Sequence, residues 1–242
     1  MRILAVDTAT TSCSVAIVDG ASLAAEFTLN KKETHSKHLM EMIETVLKIS
    51  GVDISAVDGF AVTKGPGSFT GLRIGMSTIM GLAAASGKPI VGVSSLAALA
   101  AQVSLSQDLI CPLIDARKGE VYFSQYKFIS GYLQRQTDEQ VTCPEKIIDA
   151  VKDACLFVGN GAVLYENMIL EKLGCSASFA PVVHNTIRAS TVAHLSMTKF
   201  KGKNTDKIEK FSPNYIRRSD AELSIRNTSH SLVAGIQGEG TP

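Results

Sequence analysis

The stretch Lys64-Gly65-Pro66-Gly67-Ser68-Phe69-Thr70-Gly71-Leu72-Arg73-Ile74-Gly75 constrains this chain more than any other. It separates an apolar run, Gly59-Phe60-Ala61-Val62-Thr63, from a long segment of small residues ending near Ser86. The run has the length and flanks of a buried strand, and the segment reads as a helix. Pro66 presets φ for the second position of a tight turn. Gly67 then supplies the positive φ that a type II turn requires. Ser68 or Thr70 is placed to cap the helix. The result is a strand, a sharp turn and a helix N-terminus, where free N–H groups and the helix dipole suit an anion. A close-packed turn without a ligand is the other reading. Lys64 precedes the glycines and no Gly-Lys-Ser/Thr closes the loop, so this is not a Walker A loop.

Along the helix, Gly71, Gly75, Thr78, Leu82 and Ala85 recur every three or four residues, with Ile74, Ile79 and Met80 between them. Glycine costs about 1 kcal/mol against alanine inside a helix, so two in the first turns call for a packing reason. Either the helix lies tightly on its own sheet, or it meets a helix of another subunit.

The 242 residues make one large domain or two small ones, and 45% apolar against 19% charged residues suffices for a core. A formal charge of +1 gives no field that recruits nucleic acid, so any RNA contact is local or made through a partner. Cys13, Cys111, Cys143, Cys155 and Cys175 form no Cys-x-x-Cys pair. They read as reduced thiols of a cytosolic protein, mostly in the core, and not as a zinc ribbon. Asp7 interrupts the N-terminal apolar run well short of a signal peptide, and no uncharged stretch is long enough to span a membrane. A cytoplasmic location is expected.

In chain order, residues 2–7 form a buried-type strand ending on Asp7. Cys13 to Val18 is a second strand, Asp19-Gly20 a hairpin signal, and Ser22 to Leu29 a third. A helix from Ser36 to Ser50 carries one apolar stripe, Leu39, Met42, Ile43, Val46 and Leu47. The Gly59–Thr63 strand, the glycine helix, a strand over Ile90–Val93 and a helix from Leu96 follow. After residue 108 the order begins again. Leu109 to Asp115 is a strand ending on an acid, Glu120 to Phe128 a second and Tyr132 to Thr137 a third. A helix from Pro144, a strand over Cys155–Val158, a turn at Gly159-Asn160-Gly161, a helix over Ala162–Leu173, a strand over Ser178–Val182 and a helix over Arg188–Phe200 complete it.

This duplication predicts an α/β fold of the actin-like, Hsp70-like ATPase type (ribonuclease H-like). Residues 1–108 and 109–218 would be its two subdomains, each a mixed sheet with flanking helices, and 219–242 a polar, mobile tail. Ligands of that superfold lie between the halves. Asp7 and Asp115 would face the cleft and either hold a magnesium–phosphate group or simply cap their own turns. Thr8, Gly67, Ser68 and Arg73 are the other residues at hand for an anion. Arg73 is equally able to pair with Glu41 or Glu44.

Other chemistry is missing. His35 and His38 stand at i and i+3 before Glu41, whereas a catalytic zinc helix uses His-Glu-x-x-His. His184, His194 and His230 are isolated. No Ser-His-Asp set and no Gly-x-Ser-x-Gly elbow is present.

Val6-Asp7-Thr8-Ala9-Thr10, the Thr63–Gly75 stretch, Gly87-Lys88-Pro89, Val93-Ser94-Ser95-Leu96, Asp115-Ala116-Arg117-Lys118-Gly119-Glu120-Val121-Tyr122 and Tyr215-Ile216-Arg217 together resemble the bacterial TsaB (YeaZ) family over residues 1–217. That family is paralogous to TsaD, which transfers a threonylcarbamoyl group to the adenosine beside the anticodon of certain tRNAs. TsaD binds a metal through His-x-x-x-His, and Ser95 and Leu99 stand at those places here. A serine and a leucine make no such site. The resemblance therefore implies a non-catalytic subunit without a metal or cofactor of its own, with weak nucleotide binding left open. It implies a TsaD-like partner, a TsaE-like ATPase in the assembly, self-association, and tRNA met only through the complex. From the residues themselves, Leu39, Met40 and Ile43 of one helix with Gly71, Ile74, Gly75, Thr78 and Leu82 of the next make the expected partner patch. A small-molecule kinase or ATPase of the same superfold is the competing reading.

Overall fold

The structure is a computed structural model and describes residues 1–30, 35–104, 106 and 108–217. The tail expected over 219–242, with His230, lies outside the described residues. The first half contains β1 (Arg2–Asp7), β2 (Ser12–Asp19), β3 (Ser22–Asn30), α1 (His35–Ser50), β4 (Gly59–Gly65), α2 (Phe69–Ser86), β5 (Ile90–Ser94) and α3 (Ser95–Ala101). The second contains β6 (Leu109–Arg117), β7 (Glu120–Phe123), β8 (Tyr126–Ile129), β9 (Tyr132–Arg135), β10 (Gln140–Thr142), α4 (Pro144–Ala150), β11 (Cys155–Val158), α5 (Asn160–Leu164), α6 (Glu166–Leu173), β12 (Ala177–Phe179) and α7 (Ala189–Lys201).

The expected duplication is present. The first sheet runs β3-β2-β1-β4-β5 and the second β10-β7-β6-β11-β12, with the β8–β9 hairpin beside it. In each, a central strand has an antiparallel neighbour on one side and a parallel one on the other. The strand expected from Glu120 to Phe128 is broken into β7 and β8, yet both keep one register along β6, Leu113 opposite Phe123 and Ile110 opposite Tyr126. Pro112 lies between those pairs and has no N–H to give the ladder. The freed Ser124 hydroxyl donates instead to the Thr137 carbonyl at 2.7 Å, and the Gln125 N–H to the Thr137 hydroxyl at 2.9 Å. The third strand position is consequently shared, β9 lying on β8 and β10 on β7. The single helix expected over Ala162–Leu173 is two, divided at Tyr165.

One face of the first sheet carries α1 and α2. Leu39, Met42, Ile43 and Val46 pack there with Met76, Ile79 and Ala83 against Leu4, Val6, Val15, Ile17, Phe60 and Val62. Each large side chain so buried contributes about 1.5–3 kcal/mol. The opposite face lies on α3 and α7. There Leu96, Leu99, Val192 and Ala193 share one core with Ile3 and Val91 of the first sheet and Ile110 and Ile114 of the second. The outer face of the second sheet packs on α4 and α6 through Ile147, Ile148 and Ile169.

The cysteine reading needs one correction. Cys111 and Cys155 are joined as a disulfide across neighbouring strands β6 and β11, their Cα atoms 6.4 Å apart. The parallel register sets Cys111 opposite Phe157, two residues from Cys155, which brings the two sulfurs together. Cys13, Cys143 and Cys175 are free thiols.

Candidate functional site

The turn before α2 is filled by its own chain. The Ser68 N–H donates to the Ala9 carbonyl at 2.7 Å, and a Cβ at Gly67 would lie 2.3 Å from that same oxygen. Gly67 is required by this close approach and not by a type II turn: the positive φ, 110°, falls on Gly65, and the Gly65–Pro66 peptide is cis. Ser68 is the N-cap as expected, its hydroxyl accepting from the Gly71 N–H at 3.2 Å. Donors that an anion would need are thus already answered.

The glycine stripe faces inward. A Cβ at Gly71 would lie 2.1 Å from the Thr8 carbonyl oxygen, and one at Gly75 2.2 Å from the Thr8 hydroxyl. That hydroxyl donates to the Gly71 carbonyl at 2.7 Å. Of the two reasons considered for these glycines, the chain's own packing accounts for both, and they are no part of an outward patch.

Asp7 ends β1 as expected, but its carboxylate is wholly buried and does not open on a cleft. Its Oδ1 accepts from the Thr63 hydroxyl at 2.7 Å and the Ala9 N–H at 3.2 Å, while Oδ2 has no partner. Burial pushes its carboxyl up to about 7, against the pull of those two hydrogen bonds. The neighbouring Cys13 thiol is pushed up to about 12 by burial and by the Asp7 charge.

In the second half, Asp115 Oδ1 caps its own turn, accepting from the Arg117 N–H at 2.8 Å. Arg117 and Lys118 have φ of 61° and 55°, an arrangement such a side-chain bond supports. Gly159-Asn160-Gly161 is closed as well. The Gly159 N–H donates to Asn185 Oδ1 at 2.7 Å, and a Cβ at Gly159 would lie 2.3 Å from the Leu113 carbonyl oxygen. The two halves therefore repeat one device, a glycine turn seated on a carbonyl of the preceding strand region.

Ser95 and Leu99 share one face of α3, both buried. Leu99 packs beside Gly159, and the Ser95 hydroxyl has no hydrogen-bond partner. His38 lies 3.8 Å from Glu41, and the side chain of His35 lies outside the described residues. Among the described residues no three of His, Cys, Asp and Glu come together.

The expected partner patch is brought together only in part. Leu39, Ile43, Gly71 and Gly75 are turned into the core. Met40 is 47% exposed, and Ile74, Thr78 and Leu82 are half-buried. Between α1 and α2 runs a groove of about 330 Å³ lined by Ser36, Leu39, Met40, Arg73, Ile74, Ser77 and Thr78. It is the sequence patch moved outward by one helical face.

Arg73 sits on its rim and pairs with neither Glu41 nor Glu44. Its Nε donates to the Tyr215 hydroxyl at 3.1 Å, and its guanidinium lies 4.0 Å over the Phe69 ring. Tyr215 belongs to an extended C-terminal segment that docks as the sequence suggested. Asn214 N–H donates to the Lys64 carbonyl at 2.7 Å, and Arg217 Nη1 to the Ala116 carbonyl at 2.9 Å. Sequence reasoning missed the junction beside it. There Glu139 accepts from the Ser94 hydroxyl, from Tyr126 at 3.1 Å and from Asn214 at 3.0 Å, tying both halves to the C-terminal segment. Only the polar run Thr137-Asp138-Glu139 before a short strand hinted at it.

The profile of the family described as "TsaD: tRNA N6-adenosine threonylcarbamoyltransferase" matches residues 22–225. The chain is 31% identical over 225 residues to the tRNA threonylcarbamoyladenosine biosynthesis protein TsaB of Bacillus subtilis, covering 92% of this chain and 96% of that protein. It is 38% identical over 148 residues to TsaB of Escherichia coli, covering 60% and 64%. The solved structure of YeaZ from Pseudomonas aeruginosa superposes with a TM-score of 0.76 at 29% identity, over 88% of this chain and 99% of that one. No helix among the described residues is long and apolar enough to cross a membrane.

Proposed function

This chain belongs to the TsaB (YeaZ) family, and from that premise we propose that it acts in tRNA threonylcarbamoyladenosine biosynthesis as a non-catalytic subunit. In this reading it binds and supports a TsaD-type transferase through the α1–α2 face. A TsaE-type ATPase joins the assembly, tRNA is met only through the complex, and the work is done in the cytoplasm. The same face serves self-association, so the homodimer and the TsaD-type heterodimer compete.

The observation that carries this reading is the self-filling of both phosphate-type turns. The Ala9 carbonyl occupies the space at Gly67, and the Leu113 carbonyl the space at Gly159. A kinase or ATPase needs backbone donors free at such turns to cradle phosphates. Asp7, the acid such an enzyme would aim at a magnesium ion, is sealed behind Thr63 and Ala9. Meanwhile the groove carrying Met40 and Ile74 is open.

Two measurements on the purified chain test the reading. Immobilised protein is expected to capture the TsaD-type protein of the same cell, and the isolated chain to turn over ATP no faster than buffer. ATP turnover that vanishes in Asp7→Asn would favour the kinase or ATPase reading.

A further inference from the structure

Arg73 is held in one posture on the rim of the α1–α2 groove. Its Nε is taken by Tyr215 at 3.1 Å and its face by the Phe69 ring at 4.0 Å, and Tyr215 in turn stacks on Phe69 at 4.7 Å with 23° between the rings. These contacts leave the two terminal amino groups of the guanidinium without an acid among the described residues. The clamp comes from a segment 142 residues away in sequence.

We infer that Phe69 and Tyr215 preset Arg73 as an anchor for a carboxylate on a second copy of this chain seated in the groove. The inference rests on the reading of the α1–α2 face as a contact surface. Its occupant follows from charge complementarity within that face. α1 presents exposed Glu41 and Glu44 beside exposed Met40, and α2 presents exposed Arg73 beside half-buried Ile74. A two-fold contact sets each residue of one patch on its counterpart in the other. An apolar centre of Met40 and Ile74 then has arginine from one protomer facing glutamate from its partner, and the pairing occurs twice. A planar guanidinium fixed beforehand suits a bidentate carboxylate and has little freedom left to lose on binding. Tyr215 is on this account a positioning residue that acts through Arg73.

Sedimentation of the full chain over a range of concentration and salt tests this. Arg73→Glu is expected to weaken self-association by about tenfold or more, as loss of a central arginine anchor does. The double variant Glu41→Arg, Glu44→Arg should do the same. An equimolar mixture of the two variants restores opposite charges at both contacts and should recover the dimer. Tyr215→Phe keeps the ring stack and should weaken the dimer less than Arg73→Glu, with unchanged circular dichroism and melting temperature. Unaltered dimerisation of Arg73→Glu would overturn the inference. So would a mixture that fails to recover, or wild type that stays monomeric at every concentration. Capture of the TsaD-type protein, measured separately, is the check on the functional reading and does not depend on these results.

Discussion

Gly75 lies so close to Thr8 that a Cβ at position 75 would come within 2.2 Å of the Thr8 hydroxyl oxygen. That oxygen is engaged with the Gly71 carbonyl at 2.7 Å, so it has no room to retreat without breaking a buried hydrogen bond. Gly75→Ala should therefore destabilise the monomer by about 1–3 kcal/mol from overpacking, with about 1 kcal/mol more if the Thr8 bond is lost. Urea unfolding of wild type and variant measures this. A Gly75→Ala protein as stable as wild type would mean that α2 stands further from Thr8 than the structure has it.

Asp7 makes stability depend on pH in an unusual direction. Its folded pKa is about 7 against 3.8 for the free side chain. The folded state then holds a proton that the unfolded state gives up between these values. Stability from this group is full below about 4 and is lost as pH rises through 7, a fall of order 4 kcal/mol at 1.36 kcal/mol per unit. Asp7→Asn should be the more stable protein at pH 8, with the advantage gone at pH 4. Chemical unfolding of both proteins at the two pH values checks the sign. An equal loss of stability in the variant at both would show that Asp7 folds as a charged group.

Ser95 has a buried hydroxyl with no partner. Sealing a hydroxyl away from water without a hydrogen bond costs about 1–3 kcal/mol on mutational scales. Ser95→Ala should raise the melting temperature. A clear drop would show that the hydroxyl has a partner when the protein folds in water.

Glu139 joins Ser94, Tyr126 and Asn214, and the Tyr126 ring is only 3% exposed. Burial and the Glu139 charge push the Tyr126 hydroxyl above the usual phenol range, so it is held as a neutral donor. Glu139→Ala leaves that donor unanswered and should cost about 1–3 kcal/mol. The C-terminal segment should also become more open to protease through loss of the Asn214 bond. Melting curves and limited proteolysis read the two effects, and a variant unchanged in both would refute the tie.

Much of the fold was legible because hydrophobic period and turn chemistry are local. The run from Gly59, the Ser68 cap and the stripe from Leu39 to Val46 each follow from neighbours in sequence. Spacing could not tell which side of α2 faced the sheet. Gly71 and Gly75 have no side chains to show polarity, so their inward direction depended on Thr8, more than 60 residues away. The break between β7 and β8 needed the pairing of Pro112 with Ser124, which only the register reveals. Tyr215 was legible as a docked piece but not as the clamp on Arg73, since a hydrogen bond across 142 residues leaves no local trace.

The central claim is that this chain supports a TsaD-type transferase through the α1–α2 groove and performs no chemistry itself. Its most direct measurement is mass-spectrometric detection of threonylcarbamoyladenosine in tRNA incubated with purified TsaD-type and TsaE-type proteins. The comparison sets wild-type chain against Ile74→Glu, a half-buried groove position, and Asp7→Asn. Product is expected with wild type and with Asp7→Asn, and to be lost with Ile74→Glu or without the chain. Full product with Ile74→Glu, or its disappearance with a folded Asp7→Asn, would contradict the account.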